Sequence, residues 1–370
     1  MATSEFIYIN APLPASYQPP VITGHQVLTA EELRDLLTSN DVTVEAAAGD
    51  TVPERLLSIF QHPEVLFGNP DYIPENRAHW LERFEYFVQR DEPIAFIAMA
   101  FPYKVPNPLK NGQRRAPDLG EALMLRRFAA VLDAVRAVYP PGARLTILEE
   151  GILGRCQGVD PRDIAAYRAG IRQIADLAGV GDAVAFHSLD DMVERIPNFE
   201  ARWYFEQERL RRLWDEGDAY LRHGYDETTP GQRASIPTRD YNPDTLAKAY
   251  DPSQTDSALR YVRQYLEFVA HRQFFAYRGL LNLRDTTGYL EEIAPAAIKL
   301  TVSPKPTNLA VLPVNRASGI LPYHGAPVRD LAGQWTVQYY GSLGSLGDLT
   351  ALHLDGDADQ EPIGFSRTQA

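Results

Sequence analysis

The chain has 370 residues, 45% apolar and 23% charged, with a formal net charge of −13 and one cysteine. A chain of this size and make-up buries a core that needs no metal or disulfide staple. The acidic balance argues against a general nucleic-acid binder, which needs a basic face for phosphates. It leaves room for a small cationic pocket around one anionic substrate. No stretch approaches the roughly 18 uninterrupted apolar residues of a membrane span. The segment Met1–Ile9 lacks the basic and apolar regions of a signal peptide. The lone Cys156 forms no intramolecular disulfide, which fits a reducing, cytoplasmic setting. No His stands near it in sequence, so it reads as a packed or surface thiol rather than a nucleophile.

In chain order, Phe6 to Ile9 reads as a short strand. Thr29 is a plausible N-cap with Glu32 at the capping-box position, and Leu33, Leu36 and Leu37 form the face of that helix. From His79 to Val88 a helix is expected, followed by the continuous apolar run Ile94-Ala95-Phe96-Ile97-Ala98-Met99. Such a run suits a strand covered on both faces of a parallel sheet. Asp118 to Val138 is a strong helix, with Leu125, Phe128, Leu132 and Val135 on one stripe. Arg144 to Leu148 is the next strand. Pro161 to Ala178 is a helix capped by Asp160, Ala183 to Phe186 a further strand, and Asp190-Asp191 opens a short helix. This β-α-β-α-β rhythm predicts a Rossmann-like, largely parallel sheet flanked by helices.

Asn198 to Leu221 reads as a charged surface helix and Gly224 to Tyr241 as an irregular loop. Asp256 to Leu283 is a long helix with Leu259, Val262, Leu266, Val269 and Leu280 on its stripe. Strand signals return at Ile298 to Val302, Leu309 to Val314 and Trp335 to Tyr340. Their closeness, without helices between them, predicts an antiparallel C-terminal extension of the sheet. The residues after Asp355 are acidic and polar and read as disordered. The expected organisation is an N-terminal extension over 1–75, a single α/β catalytic domain over 76–355 with a helical insertion at about 198–284, and a disordered tail over 356–370.

The most distinctive stretch is the loop from Ala100 to Gly112, followed by Pro117-Asp118-Leu119-Gly120-Glu121. It leaves a buried strand and enters a helix, which in an open α/β sheet is the carboxyl-end crevice where ligands bind. Lys104 and Lys110 are available for an anion. Asp118 and Glu121 have the spacing of a capping box, which is the commoner meaning of that pattern; they are also placed to meet an amine or transfer a proton. Elsewhere, the eight histidines form no His-x-x-x-His or His-Glu-x-x-His pair, so a zinc hydrolase is not indicated. His187 reads as a strand-end histidine. His271 reads as a packed imidazole, with haem or another metal as the alternative. Gly151-Ile152-Leu153-Gly154 lacks the third glycine of a dinucleotide fingerprint. Tyr261, Tyr265, Phe268, Phe274, Phe275 and Tyr277 read first as core packing of the long helix, and second as an aromatic substrate pocket.

The run Phe101-Pro102-Tyr103-Lys104, with Asn107, and then Pro117-Asp118-Leu119-Gly120-Glu121 resembles the signature of the isocyanide (isonitrile) synthases, the pyoverdine/dityrosine biosynthesis family. The resemblance covers roughly residues 90–190 well and 295–340 loosely. It implies condensation of an amino acid's α-amine with the ketone of ribulose 5-phosphate, leaving one carbon on nitrogen as an isocyanide. It implies no metal or nicotinamide cofactor. On this likeness Lys104, Glu121 and His324 are the expected catalytic residues. Tyr103, Asn107, Lys110, Asp118, Glu150, Lys299 and Ser303 are the expected substrate-binding residues.

Departures from the pattern are equally specific. Glu149-Glu150-Gly151 stands where the family commonly has Ser-Asp-Gly, and Lys299-Leu300-Thr301-Val302-Ser303 where it commonly has Arg-Leu-Ser-Ile-His. A lysine common shortly afterwards is replaced by Thr307 or Asn308, and Pro-Trp-His becomes Pro322-Tyr323-His324. Lys cannot reproduce the arginine fork, and Ser cannot titrate as His does. Two alternatives therefore stand beside the family reaction. One is a different nitrogen transformation without the sugar phosphate, such as N-oxidation or N–N bond formation, for instance in siderophore biosynthesis. The other is a non-enzymatic amino-acid-binding protein. The sequence does not set the amino acid or the oligomeric state.

Overall fold

The computed structural model describes residues 13–68, 71–156, 159–234, 236, 238, 241–251, 253–302, 307–318, 320–357 and 360–368. The strand expected at Phe6 to Ile9 lies outside them. The chain opens with β1 (Val21–Leu28), α1 (Ala30–Thr38), α2 (Val52–Ile59), α3 (Tyr72–Glu75) and α4 (Arg77–Val88). It continues with β2 (Ile94–Met99), α5 (Leu119–Val138), β3 (Ala143–Glu149), α6 (Gly151–Cys156), α7 (Pro161–Leu177), β4 (Val184–Ser188) and α8 (Asp191–Arg195). Then come α9 (Phe199–Asp215), α10 (Ala219–Ala234), α11 (Pro243–Tyr250), α12 (Ser257–Thr286) and α13 (Tyr289–Ile293). The C-terminal part holds β5 (Ile298–Thr301), β6 (Asn308–Ala310), a 3-10 turn (Pro322–His324), β7 (Ala326–Arg329), β8 (Trp335–Gln338), β9 (Asp348–Leu354) and β10 (Gly364–Arg367).

β2 is buried because all six of its residues are apolar and it has a parallel neighbour on each side. The described strands of this sheet run in the order β4-β3-β2-β5-β6, all parallel. The order reverses at β2. The crevice outside its carboxyl end, between β2 and β5, is therefore the position where open α/β sheets receive ligands. The helix starts follow the sequence. Thr29 caps α1 with Glu32 closing the box, Asp160 caps α7, and Asp118 caps α5 with Glu121 closing a second box.

Three expectations are corrected. The first concerns the late strands. β5 and β6 join the first sheet in parallel, and β8 belongs to a second sheet of order β1-β9-β10-β7-β8. Antiparallel pairing occurs there, between β7 and β8 and between β9 and β10, while β1 lies parallel to β9. The second concerns Gly224 to Tyr241. Much of it is helix α10, because Leu221 and Tyr225 pack with Leu210, Trp214, Phe274 and Phe275 of α9 and α12. The third concerns the tail. Phe365 is 2% exposed, and its strand pairs with both β9 and β7.

The second sheet and the C-terminal strand fix the loop after β2. Tyr340 and Gly341 donate backbone hydrogen bonds to Lys110 O (2.8 Å) and Leu109 O (3.0 Å). Arg114 donates to Glu361 O (2.7 Å) and to Asp357 Oδ2 (2.7 Å). Leu119 N, at the first turn of α5, donates to Ile363 O (3.0 Å). The loop of 100–117 is thus held between the carboxyl end of the parallel sheet and the second sheet.

Candidate active site

The chain leaves β2 through Phe101, a fully buried residue at φ 53°. A left-handed, non-glycine aromatic costs about 1–2 kcal/mol, and such strain concentrates at functional turns. The next turns bury Lys104 and Lys110, each 1% exposed. An ammonium leaves water only with a partner or by shedding its proton, and the two lysines take these two routes.

Lys104 is partnered. Its Nζ contacts Asp118 Oδ2 and lies 3.2 Å from Glu121 Oε2. These carboxyls also cap α5. Asp118 Oδ1 accepts from Gly120 N at 2.8 Å, and Asp118 N donates to Glu121 Oε2 at 2.9 Å. Capping box and ion pair are therefore one device. From α7, Tyr167 OH donates to Glu121 Oε1 at 2.9 Å. Two buried carboxyls share one ammonium, so one of them keeps a proton. Burial, then Glu121, pushes Asp118 well above the carboxylate range. Burial also pushes Glu121 up, but Lys104 and hydrogen bonds from Asp118 and Tyr167 outweigh it and hold Glu121 below its ordinary value. Asp118 is the proton holder of the pair and Glu121 the anion.

Lys110 has no such partner. Among the described residues its Nζ makes no hydrogen bond or ion pair. Burial, then the Lys104 ammonium, lowers its pKa from 10.5 to about 7, with Glu121 opposing. Around it lie further polar atoms without partners among the described residues. Asn107 is fully buried and Asn111 5% exposed; their side-chain oxygens bond the loop backbone, but both Nδ2 atoms are orphaned. His324 arrives on the 3-10 turn, which sits on the first turn of α5 because Gly120 has no side chain: a Cβ there would stand 3.3 Å from Pro322 Cβ. Its Nδ1 is buried, with no partner among the described residues. Burial, then Lys110 and Lys104, depresses its pKa well below 6.5 and leaves the imidazole neutral. Orphaned buried polar atoms on the loop and on the 3-10 turn mark a place built for a polar ligand.

Tyr103 is 5% exposed and packs against α6, where a Cβ on Gly154 would come within 2.9 Å of its ring. A second polar group adjoins the cluster. Glu150, half-buried at the end of β3, is raised to about 7 by burial, against the pull of Arg284. It acts electrostatically on the phenols of Tyr277 and Tyr323, and Tyr323 in turn senses Glu121. Glu149 faces the other way. It is fully buried, with Arg172 forking both its oxygens at 3.1 and 3.0 Å.

The structure therefore brings together Lys104, Lys110, Asp118, Glu121, Asn107 and His324, with Tyr103 and Glu150 beside them. Lys299 does not join them: its Nζ pairs with Asp285 of α12 at 3.3 Å. Ser303 lies outside the described residues. Tyr167 and Arg284 carry no role in the sequence pattern, and Tyr277 reads there first as core packing and second as part of an aromatic pocket. A signal existed for Tyr167, which interrupts the apolar stripe Ile164, Ile171, Ile174 with a hydroxyl that needs a partner when buried. His271 packs edge-on against Trp214, Tyr225 and Phe275 as a half-buried imidazole. Among the described residues no group of three or more His, Cys, Asp or Glu is placed to hold a metal ion, and no helix is long and apolar enough to cross a membrane.

The family model described as pyoverdine/dityrosine biosynthesis protein matches residues 84–271, just over half of the chain. An L-tyrosine isonitrile synthase of Pseudomonas aeruginosa is 27% identical over 301 residues, covering 76% of this chain and 86% of that enzyme. The L-tryptophan isonitrile synthase AmbI2 of Fischerella ambigua is 35% identical over 113 residues, 30% of this chain and 34% of that enzyme. The crystal structure of the PvcA protein from Pseudomonas aeruginosa superposes with a TM-score of 0.61 at 22% identity, over 86% of this chain and 100% of that one. At that identity the likeness speaks to the fold.

Proposed function

The chain belongs to the pyoverdine/dityrosine biosynthesis family, and from that membership we propose that it is an isonitrile synthase that condenses the α-amine of an amino acid with the ketone of ribulose 5-phosphate. The observation that carries this reading is the buried cluster at the switch point of the parallel sheet: a lysine held cationic by two carboxyls, a second buried lysine whose Nζ has no partner among the described residues, and orphaned polar atoms around them.

Condensation of an amine with a ketone needs a proton for the departing oxygen, a base for the nitrogen, and exclusion of water once the imine exists. Asp118 holds the proton and Glu121, supported by Tyr167, is the ionised partner that receives one. Lys104 stabilises negative charge that develops on oxygen. Neutral His324 offers an unpartnered nitrogen. The amides of Asn107 and Asn111 supply donors for hydroxyl, carboxylate or phosphate oxygens. Lys104, Lys110 and Glu121 are each at most 1% exposed, which keeps the imine from hydrolysis.

The test is mass spectrometry of purified protein with single amino acids, with and without ribulose 5-phosphate. A product with the mass of the isonitrile, formed only with the sugar phosphate, is expected. Tyrosine and tryptophan are the first candidates, because relatives are named for them. One observation favours a second reading. Lys299, at the position of the family's arginine, is engaged by Asp285 rather than by the cluster. If the sugar phosphate is not used, an amino acid transformed at nitrogen without it would support different chemistry on the same scaffold.

A further inference from the structure

We infer that Lys110 is a nucleophilic amine that first captures the ketone of the sugar-phosphate co-substrate as an imine and then passes that carbon to the amino acid's amine by transimination; the inference rests on the function proposed above. The two buried lysines differ in what surrounds them. Lys104 has two carboxyls within reach of its Nζ, so its lone pair is tied up in a proton. Lys110 is equally buried, yet among the described residues its Nζ meets no acceptor. The charged and titratable groups that face it are Lys104 on its own loop, Glu121 on α5 and His324 on the 3-10 turn. The nearest of these in effect is another cation. A lysine desolvated beside a second cation is the arrangement that yields a neutral, nucleophilic amine.

The backbone fixes where that amine sits. Lys110 N donates to Asn107 O at 3.0 Å and Lys110 O accepts from Tyr340 N at 2.8 Å, so the residue is clamped on both sides. The orphaned Nδ2 atoms of Asn107 and Asn111 belong to the same turn. They would hold the oxygen of the carbinolamine while it still belongs to the adduct.

The steps balance without any oxidant. The Lys110 Nζ lone pair attacks the carbonyl carbon, forming a C–N bond. The oxygen takes a proton, becoming a hydroxyl, and nitrogen gives up one of its own. The C–O bond breaks and water departs with a proton from the Asp118/Glu121 pair, leaving an iminium on Lys110. The amino acid's amine adds to the same carbon. The adding nitrogen passes one of its protons to Lys110 Nζ, the C–N bond to Lys110 breaks, Lys110 leaves as a neutral amine, and the iminium now on the amino acid's nitrogen returns its remaining proton to the Asp118/Glu121 pair. The sum is amine plus ketone giving imine plus water, and Lys110 is regenerated.

The test traps the first adduct in the full-length protein. Protein is incubated with ribulose 5-phosphate, reduced with sodium borohydride, digested and mapped by mass spectrometry. Reduction is expected to place the sugar phosphate on Lys110 and to abolish cleavage there by trypsin. Lys110→Ala and Lys110→Arg are expected to lose the adduct and turnover together. Arg keeps a positive charge but cannot form the imine, so activity in Lys110→Arg would overturn the inference. So would isonitrile formation by the wild type with the adduct on Lys104 or on no lysine. Absence of both product and adduct overturns the co-substrate and the inference with it. A parallel titration by pulsed acetic anhydride reads the amine without any substrate. Lys110 is expected to acylate with a midpoint near neutral pH, and an ordinary lysine midpoint would remove the nucleophile independently of the reaction.

Discussion

Replacing each buried lysine by Met separates their roles in stability. The fall of Lys110 from 10.5 to about 7, at about 1.36 kcal/mol for each tenfold change in the proton equilibrium, is roughly 5 kcal/mol spent by the fold in keeping that group uncharged. Met has similar length, no charge and no polar atom that needs a partner. Lys110→Met is therefore expected to stabilise the protein at neutral pH by about 2–4 kcal/mol, the remainder being lost to imperfect repacking. Lys104→Met does the opposite. It strips the cation from Asp118 and Glu121, which are 3% and 0% exposed, and costs about 3–5 kcal/mol. The pH dependence has a definite sign. The folded pKa of Lys110 lies below the unfolded one, so between about 7 and 10.5 the unfolded chain holds more protons. Wild-type stability contributed by this group is full above that window and is lost as pH falls through it, and the Lys110→Met variant lacks this slope. Urea unfolding of the three proteins at pH 7 and pH 9 measures all of this. If Lys110→Met unfolds as readily as Lys104→Met, or keeps the wild-type slope, Lys110 is not an unpartnered buried amine.

Glu121→Gln removes the ionised member of the proton-sharing pair and is expected to lower kcat by about 10²–10⁴-fold, with a smaller effect on KM, in steady-state kinetics. Tyr167→Phe deletes the 2.9 Å hydrogen bond to Glu121. It should cost about 1 kcal/mol in unfolding experiments and shift the acid limb of the kcat profile to higher pH, since that bond helps hold Glu121 low; an unmoved limb would assign the acid limb to another group. Glu150→Gln tests the second polar group. Its folded pKa of about 7 lies above its ordinary 4.5, so the folded state holds more protons between those values. The wild type loses stability from this group as pH rises through that window, and thermal denaturation across the same range should show the loss abolished in the variant.

The site was legible where its residues are close in sequence. The all-apolar run of β2, the loop after it and the cap Asp118 with Glu121 lie within one strand-loop-helix unit, so local patterning located them. What the spacing could not show is that the cap oxygens face Lys104. That contact depends on how the loop folds back, and a capping box looks the same in sequence with or without it. Lys110 and Lys104 likewise carry identical side chains, and only their surroundings separate them. The late strands were misread for a physical reason. Few residues lie between Thr301 and Asn308, fewer than a parallel crossover ordinarily requires, so antiparallel pairing was the natural inference; yet β5 and β6 run parallel. In α10 the breakers at Thr228, Thr229, Pro230 and Gly231 were outweighed by packing of Leu221 and Tyr225 on the aromatic cluster of α9 and α12. The polar composition of the tail hid Ile363 and Phe365, two buried residues that carry its strand onto the second sheet.

On the proposed function, this buried cluster joins an amino acid's nitrogen to the ketone carbon of ribulose 5-phosphate. The most direct measurement uses the sugar phosphate carrying carbon-13 at that carbon alone, with the product read by mass spectrometry and carbon NMR. The label is expected in the isonitrile carbon bonded to nitrogen. An isonitrile formed without the label, or an amino acid altered at nitrogen with no carbon gained from the sugar, would contradict it.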